Sequence, residues 1–166
     1  MNTTELYKFL IEAGVPERYA GKASLLQPEK VVEDKLNRVM TTIDVPEEGD
    51  QVVYMTGTDR PEKELAAAYL LATWLNITDK KGKWLTPVDL RISYGSELPT
   101  GAGINVFTNI NLLLEPQLVL LRQLLTDWVP RGRGVILLAP TEASIISALG
   151  EGVFGYLSGI ATGVEI

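Results

Sequence analysis

The amino-acid sequence predicts an α/β domain of three layers, a parallel central sheet with helices on both faces. Three observations carry this expectation. Short apolar runs alternate along the chain with segments of helical periodicity, the pattern of strand-helix-strand units. The run Val135-Ile136-Leu137-Leu138-Ala139 is continuous and apolar, as a strand buried on both faces requires. The run Val52-Val53-Tyr54-Met55 leads through the polar turn Thr56 to Pro61 into Glu62 to Leu75, a segment apolar on almost every side and so expected as a buried helix.

The other elements follow in order. Residues 3–13 predict a helix capped by Thr3 or Thr4, with Leu6, Phe9 and Leu10 on one face and Gly14 at its end. Gly14 to Tyr19 reads as an extended connector or turn that packs Tyr19 on the body. Residues 29–43 predict a second helix: Pro28 starts it, and Val31, Val32, Leu36, Val39, Met40 and Ile43 fall at helical spacing. Val45 to Asp50 reads as a polar loop. After the central helix, Asp79-Lys80-Lys81-Gly82 signals a turn, and Trp84 to Leu90 a short strand whose Pro87 suits a sheet edge. Residues 93–103 read as loop and Ile104 to Phe107 as a strand. Residues 115–128 predict an amphipathic helix with Leu118, Leu121, Leu125 and Trp128 on one side. Pro140-Thr141-Glu142 opens another helix ending near Leu149; Gly150 to Gly159 is a Gly-flanked segment, and Ile160 to Ile166 a last strand. Trp74, Trp84 and Trp128 are expected in the core. Arg131 and Arg133 are expected as helix-end cations, and Glu115 and Asp127 as exposed cap or helix-face residues.

Composition narrows the chemistry. With 166 residues, 46% hydrophobic and 22% charged, the chain predicts one compact domain: a helical lead-in, residues 1–50, packed on a core, residues 51–166. There is no cysteine and no histidine, which removes thiolate sites, the commonest general base and Ser-His triads. A net charge of −6 disfavours a broad footprint on a phosphate backbone, so direct DNA binding is expected to be weak or absent and a protein partner is the better default. No basic leader or bilayer-length apolar run is present, which predicts a cytoplasmic protein without membrane contact.

Strand, glycine turn, lysine and buried helix is also the layout of a phosphate-binding loop, GxxxxGK[ST]. Here it reads Gly57-Thr58-Asp59-Arg60-Pro61-Glu62-Lys63-Glu64. Gly57 and Lys63 fit. Glu62 replaces the second glycine and Glu64 the hydroxyl that would bind magnesium. Pro61 deletes an N–H donor from the cradle. Asp59, Glu62 and Glu64 set carboxylates beside a polyanion site, where a like-charge pair at ~4 Å is unfavourable by about 4 kcal/mol at an effective dielectric of about 20. Lys63 is expected to pair with one of these carboxylates. An ordinary strand-turn-helix that shares one glycine and one lysine by chance is the competing reading of this stretch taken alone.

The remaining pieces occur in a recognisable order. Ala13 to Leu25, AGVPERYAGKASL, resembles the GIP-x-RY-x-x-ASL lead-in of the bacterial DnaC/DnaI-type replicative helicase loaders and the related IstB-like transposition ATPases. The loop and helix just described fall where that family's phosphate loop falls. WLTPVDL, Trp84 to Leu90, takes the place of its second core strand and the start of the following helix. INVFTNI, Ile104 to Ile110, resembles the Walker B strand, with Thr108 and Asn109 at the positions of its acids. VILLAPT, Val135 to Thr141, resembles the sensor-1 strand, with Pro140 or Thr141 at its polar tip. ISALGEGVFGYLSG, Ile146 to Gly159, resembles the LGER-x-x-x-RL-x-G segment, with Gly152 and Tyr156 where its arginines stand, and ATGVEI, Ala161 to Ile166, resembles the closing strand.

The resemblance covers about residues 13 to 166 and implies a three-layer P-loop NTPase-like, AAA+-like fold. It carries over Gly57 and Lys63, with Glu62, Glu64, Thr108, Asn109, Thr141, Gly152 and Tyr156 as vestiges of nucleotide positions. Magnesium hydroxyl, Walker B acids, sensor and trans-acting arginines are lost together. The expectation is a degenerate pseudo-ATPase with no cofactor, neither ATP nor magnesium. It would serve DNA replication in a bacterium, phage or mobile element through contact with a replicative helicase, a helicase loader or its own copies. A weak ATPase or loader using Lys63, and a self-assembling structural protein on the same scaffold, are the alternatives.

Overall fold

The computed structural model describes residues 1–42, 52–90 and 101–166. Its strands are β1 (Val52–Thr56), β2 (Gly82–Leu85), β3 (Ile104–Phe107), β4 (Gly134–Leu138) and β5 (Ala161–Glu165). They form one five-stranded sheet in the order β2-β3-β4-β1-β5. Every neighbouring pair is parallel. The helices are α1 (Thr3–Ala13), α2 (Glu17–Ala23), α3 (Lys30–Thr42), α4 (Arg60–Ile77), α5 (Glu115–Trp128) and α6 (Glu142–Ser158), with 3-10 turns at Ile110–Leu112 and Val129–Arg131.

The period-two alternation of a strand explains the two cores. Val53 and Met55 of β1 face a cluster built with α1, α2, α3 and α4. Val52 and Tyr54 face a second cluster built with α5 and α6. The three-layer architecture expected from the sequence is therefore present. Helix α4 is buried on most of its surface, with Ala66, Ala67 and Ala68 all at 0% exposure. These small side chains let α2 lie close against it. Residues of the lead-in, including Leu6, Leu10 and Ala20, belong to the same core cluster as α4. Trp74, Trp84 and Trp128 are all buried.

Several boundaries differ from expectation. Residues 17–23 are helical rather than extended, because Pro16 occupies a helix-start position and Tyr19, Ala20 and Ala23 form an apolar stripe. Helix α4 begins at Arg60 rather than Glu62, since Asp59 caps it by accepting from the Glu62 N–H at 2.9 Å and Pro61 suits the first turn. Strand β2 ends at Leu85 rather than Leu90; Asp89 folds the chain back by accepting from the Thr86 N–H at 2.7 Å. Helix α6 does not stop at Leu149. It continues to Ser158 through a kink at Gly150, where φ 76° and ψ 158° leave the helical region. The kink frees the Ala148 carbonyl, and Arg122 donates to it at 3.0 Å. Ile43, the loop Val45 to Asp50, Gln51 and residues 93–100 lie outside the described residues. No helix among the described residues is long and apolar enough to cross a membrane.

The kink conformation is open to glycine and closed to residues with a Cβ. Gly150→Ala is expected to lower unfolding free energy by about 1–3 kcal/mol, read as a shifted urea midpoint at unchanged slope.

Candidate functional site

Of the predicted site residues, Gly57, Glu62, Lys63, Glu64, Thr108 and Asn109 follow the carboxyl ends of β1 and β3, where open parallel sheets place their ligands. Gly57 follows β1. It adopts φ 141°, and a Cβ there would lie 2.4 Å from the Ile166 backbone oxygen. Only glycine allows that approach of the segment after β5, whose Ile166 N–H donates to the Thr56 carbonyl at 2.8 Å. The loop is short, because helix α4 starts three residues on. Its amides are partly committed. The Gly57 N–H donates to the Pro140 carbonyl at 2.9 Å, the Glu62 N–H to Asp59, and the Lys63 N–H to the Asp59 carbonyl at 3.1 Å. Pro61 has no N–H to offer.

Glu64 is the centre of the site. Its residue is only 6% exposed, and its carboxylate accepts from three directions. The Tyr19 hydroxyl of α2 donates at 2.8 Å, the Arg60 Nε one helical turn back at 3.0 Å, and the Asn109 Nδ2 beyond β3 at 3.3 Å. Arg18 adds a longer ionic contact at 3.9 Å, donates to the Tyr19 hydroxyl at 3.3 Å and lies over the Tyr19 ring. Burial pushes the Glu64 carboxyl up, but the bonds from Tyr19, Arg60 and Asn109 outweigh it and hold the group below its ordinary value of 4.5.

Asn109 reaches Glu64 through an unusual backbone. It sits in the left-handed region, φ 52° and ψ 48°, which asparagine tolerates better than most side chains. Thr108 beside it is buried and donates its N–H to the Leu85 carbonyl at 2.9 Å, tying β3 to β2. The residues expected at the Walker B and magnesium-hydroxyl positions are thus brought into direct contact, and that contact is an amide on a carboxylate.

Lys63 behaves differently from expectation. It is 4% exposed, yet among the described residues no carboxylate lies within ion-pair distance of its amine. The adjacent carboxylate, Glu64, pairs with Arg60 instead. Burial lowers the Lys63 amine below its usual range, with the Arg60 charge adding to the effect and Glu64 and Asp59 opposing it.

The other predicted positions do not join this cluster. Thr141 caps α6, accepting from the Ser144 N–H at 3.1 Å. Gly152 and Tyr156 are exposed on the second half of α6. Arg131 pairs with Asp127 at 3.1 Å, Glu115 with Arg122 at 3.5 Å, and Arg133 lies over the Trp128 ring. Among the described residues no three His, Asp or Glu side chains converge as metal ligands.

No family model and no curated protein matches the sequence. The fold does match a solved one, "Crystal structure of the DnaC helicase loader", with a TM-score of 0.68 over 91% of this chain and 99% of that chain. The fold is a DnaC-like AAA+ fold. Identity between the two chains is 19%, so the likeness speaks for architecture. Within this AAA+ fold, Tyr19, Arg18 and Arg60 are the site residues that motif reasoning missed. The four-residue spacing of Arg60 and Glu64 was a readable signal for one of them.

Three outcomes follow from the site. Glu64→Ala leaves the buried Tyr19 and Asn109 donors without their acceptor and is expected to cost about 1–3 kcal/mol for each group stranded. Because the folded pKa of Glu64 is depressed, its stabilisation is present above the unfolded value. It is lost as pH falls from about 4.5 through the lower folded value. Urea unfolding from neutral to acid pH should show this loss in the wild type and a flatter acid limb in Glu64→Gln. Lys63→Met removes a desolvated charge and keeps the stem, so its melting temperature should equal or exceed that of the wild type.

Proposed function

We propose that this chain is a catalytically degenerate AAA+-like accessory protein of DNA replication, working by protein-protein contact and without nucleotide hydrolysis. The observation that carries the reading is the Asn109-to-Glu64 hydrogen bond at 3.3 Å. An AAA+ ATPase uses this junction for a hydroxyl and an acid that hold magnesium beside a nucleotide. Here an anion stands at the first position and a neutral amide at the second, and each satisfies the other. The residues present are a poor match for a magnesium-nucleotide group in three further respects. Pro61 and Asp59 reduce the amide cradle, a third donor from Tyr19 fills the Glu64 carboxylate, and the Ile166 backbone oxygen crowds Gly57.

The solved structure that shares the fold is described as a helicase loader. That description, with the lead-in and strand motifs, points to a replicative helicase or its loader as the partner, or to further copies of this chain. A net charge of −6 suits a protein surface better than DNA. A second reading, weak nucleotide binding without magnesium, is favoured by the buried Lys63 amine, which has no ion-pair partner among the described residues.

Titration calorimetry separates the two. The degenerate reading expects no heat of binding with Mg-ATP at millimolar concentration and no difference between wild type and Lys63→Ala. Saturable binding lost in Lys63→Ala would establish the second reading. For the partner, affinity capture from the native host should recover a replicative helicase or loader; recovery of neither, with clean controls, removes the replication role.

A further inference from the structure

At the end of the sheet opposite Glu64, the segments that lead into three adjacent strands meet. Lys80 and Lys81 precede β2, Gly101 to Gly103 precede β3, and Arg131 and Arg133 precede β4. The sheet order sets the β3 lead-in between the other two. Four cations thus gather at one edge of a chain whose net charge is −6, with Asp79 and Asp127 as the acids beside them in sequence.

The glycines let the cations close in. A Cβ at Gly103 would lie 2.7 Å from the Lys80 Cβ. One at Gly101 would lie 2.5 Å from an Arg133 guanidinium nitrogen and 2.6 Å from the Trp128 ring. Lys80 and Arg133 therefore pack on the same three-residue segment, and both are half-buried. The Lys80 amine donates to the Gly132 carbonyl at 3.0 Å, which uses one of its three N–H groups. Arg133 lies over the Trp128 ring at 5.6 Å, and among the described residues its guanidinium meets no acceptor. It is a fork of donors held in place and left unmatched. Lys81 is exposed beside them, while Arg131 is engaged by Asp127 at 3.1 Å.

Such a fork takes an oxyanion bidentately. Three features favour the carboxylates of a protein over the phosphates of a nucleic acid. Bases find no stacking surface, because Trp128 is 2% exposed and is covered by Arg133 and stacked on Phe107. The cations surround one glycine segment and form no track along which a backbone could run. The acidic remainder of the chain repels a polyanion that extends past the patch.

We propose that this surface docks an acidic segment of a protein partner, with one carboxylate seated on Arg133 and Lys80 and the next on Lys81. The inference rests on the protein-contact reading above and adds the surface and the charge of the partner. Its test is separate: affinity capture reports who the partner is, and the titration below reports only this surface.

Amide chemical-shift titration of the full chain uses an acetylated, amidated hexapeptide of alternating aspartate and glutamate, its asparagine/glutamine isostere, and oligothymidylate. The acidic hexapeptide should give saturable shifts at Gly101, Gly103 and Gly132 that weaken as salt is raised, and the isostere should bind at least tenfold more weakly. Arg133→Gln should weaken the acidic peptide at least tenfold. Lys81→Gln, at an exposed position that leaves folding intact, should weaken it about twofold. Lys22→Gln removes the same charge from α2, outside the patch, and should change nothing. Equal response to peptide and isostere, equal loss in Lys22→Gln and Lys81→Gln, no shift with the acidic peptide, or tighter binding of oligothymidylate at the same amides overturns the proposal.

Discussion

A carboxylate taken out of water must be matched by donors or it will not stay charged, and Glu64 is matched by Tyr19, Arg60 and Asn109, each on a different element. The bonds join helix α2, the first turn of α4 and the turn after β3 at one point below the sheet ends. The lead-in is held by the same group that holds the end of the β3 strand. Of the three donors, Tyr19 and Asn109 are themselves buried, while the Arg60 side chain is 61% exposed. The buried pair sets the geometry, and the arginine supplies charge that water partly screens.

The short loop follows from the same arrangement. Asp59 starts α4 early, which places Glu64 on the second turn, facing Tyr19, rather than at the mouth of a wide phosphate cradle. Gly57 then needs only to pass the Ile166 backbone, and its φ of 141° serves that close approach. A glycine and a lysine at phosphate-loop spacing can thus persist for reasons of packing. The fold places the first at a crossing of chain segments and the second on a helix buried almost all round.

Most of the architecture was legible in the sequence, because continuous apolar strands such as Val135 to Leu138 and the all-round apolar α4 leave few alternatives to a covered parallel sheet. What escaped depended on local capping and tertiary partners. Helix α2 is too short for its periodicity to separate it from a turn. The second half of α6 is interrupted by Gly150, whose backbone is non-helical although the helix resumes beyond it. At the site, the exchange of residues at the Glu64 and Asn109 positions could be read one by one against a motif. Their mutual contact could not, since it spans 45 residues.

The direct measurement is a carbon-13 titration of the Glu64 side-chain carboxyl, assigned by comparison with Glu64→Gln. If the three donors hold the group charged, its midpoint lies below 4.5 and rises in Tyr19→Phe and in Asn109→Ala. A midpoint at or above 4.5, unmoved by either substitution, would show that burial governs this carboxylate and that the junction is not the keystone of the fold.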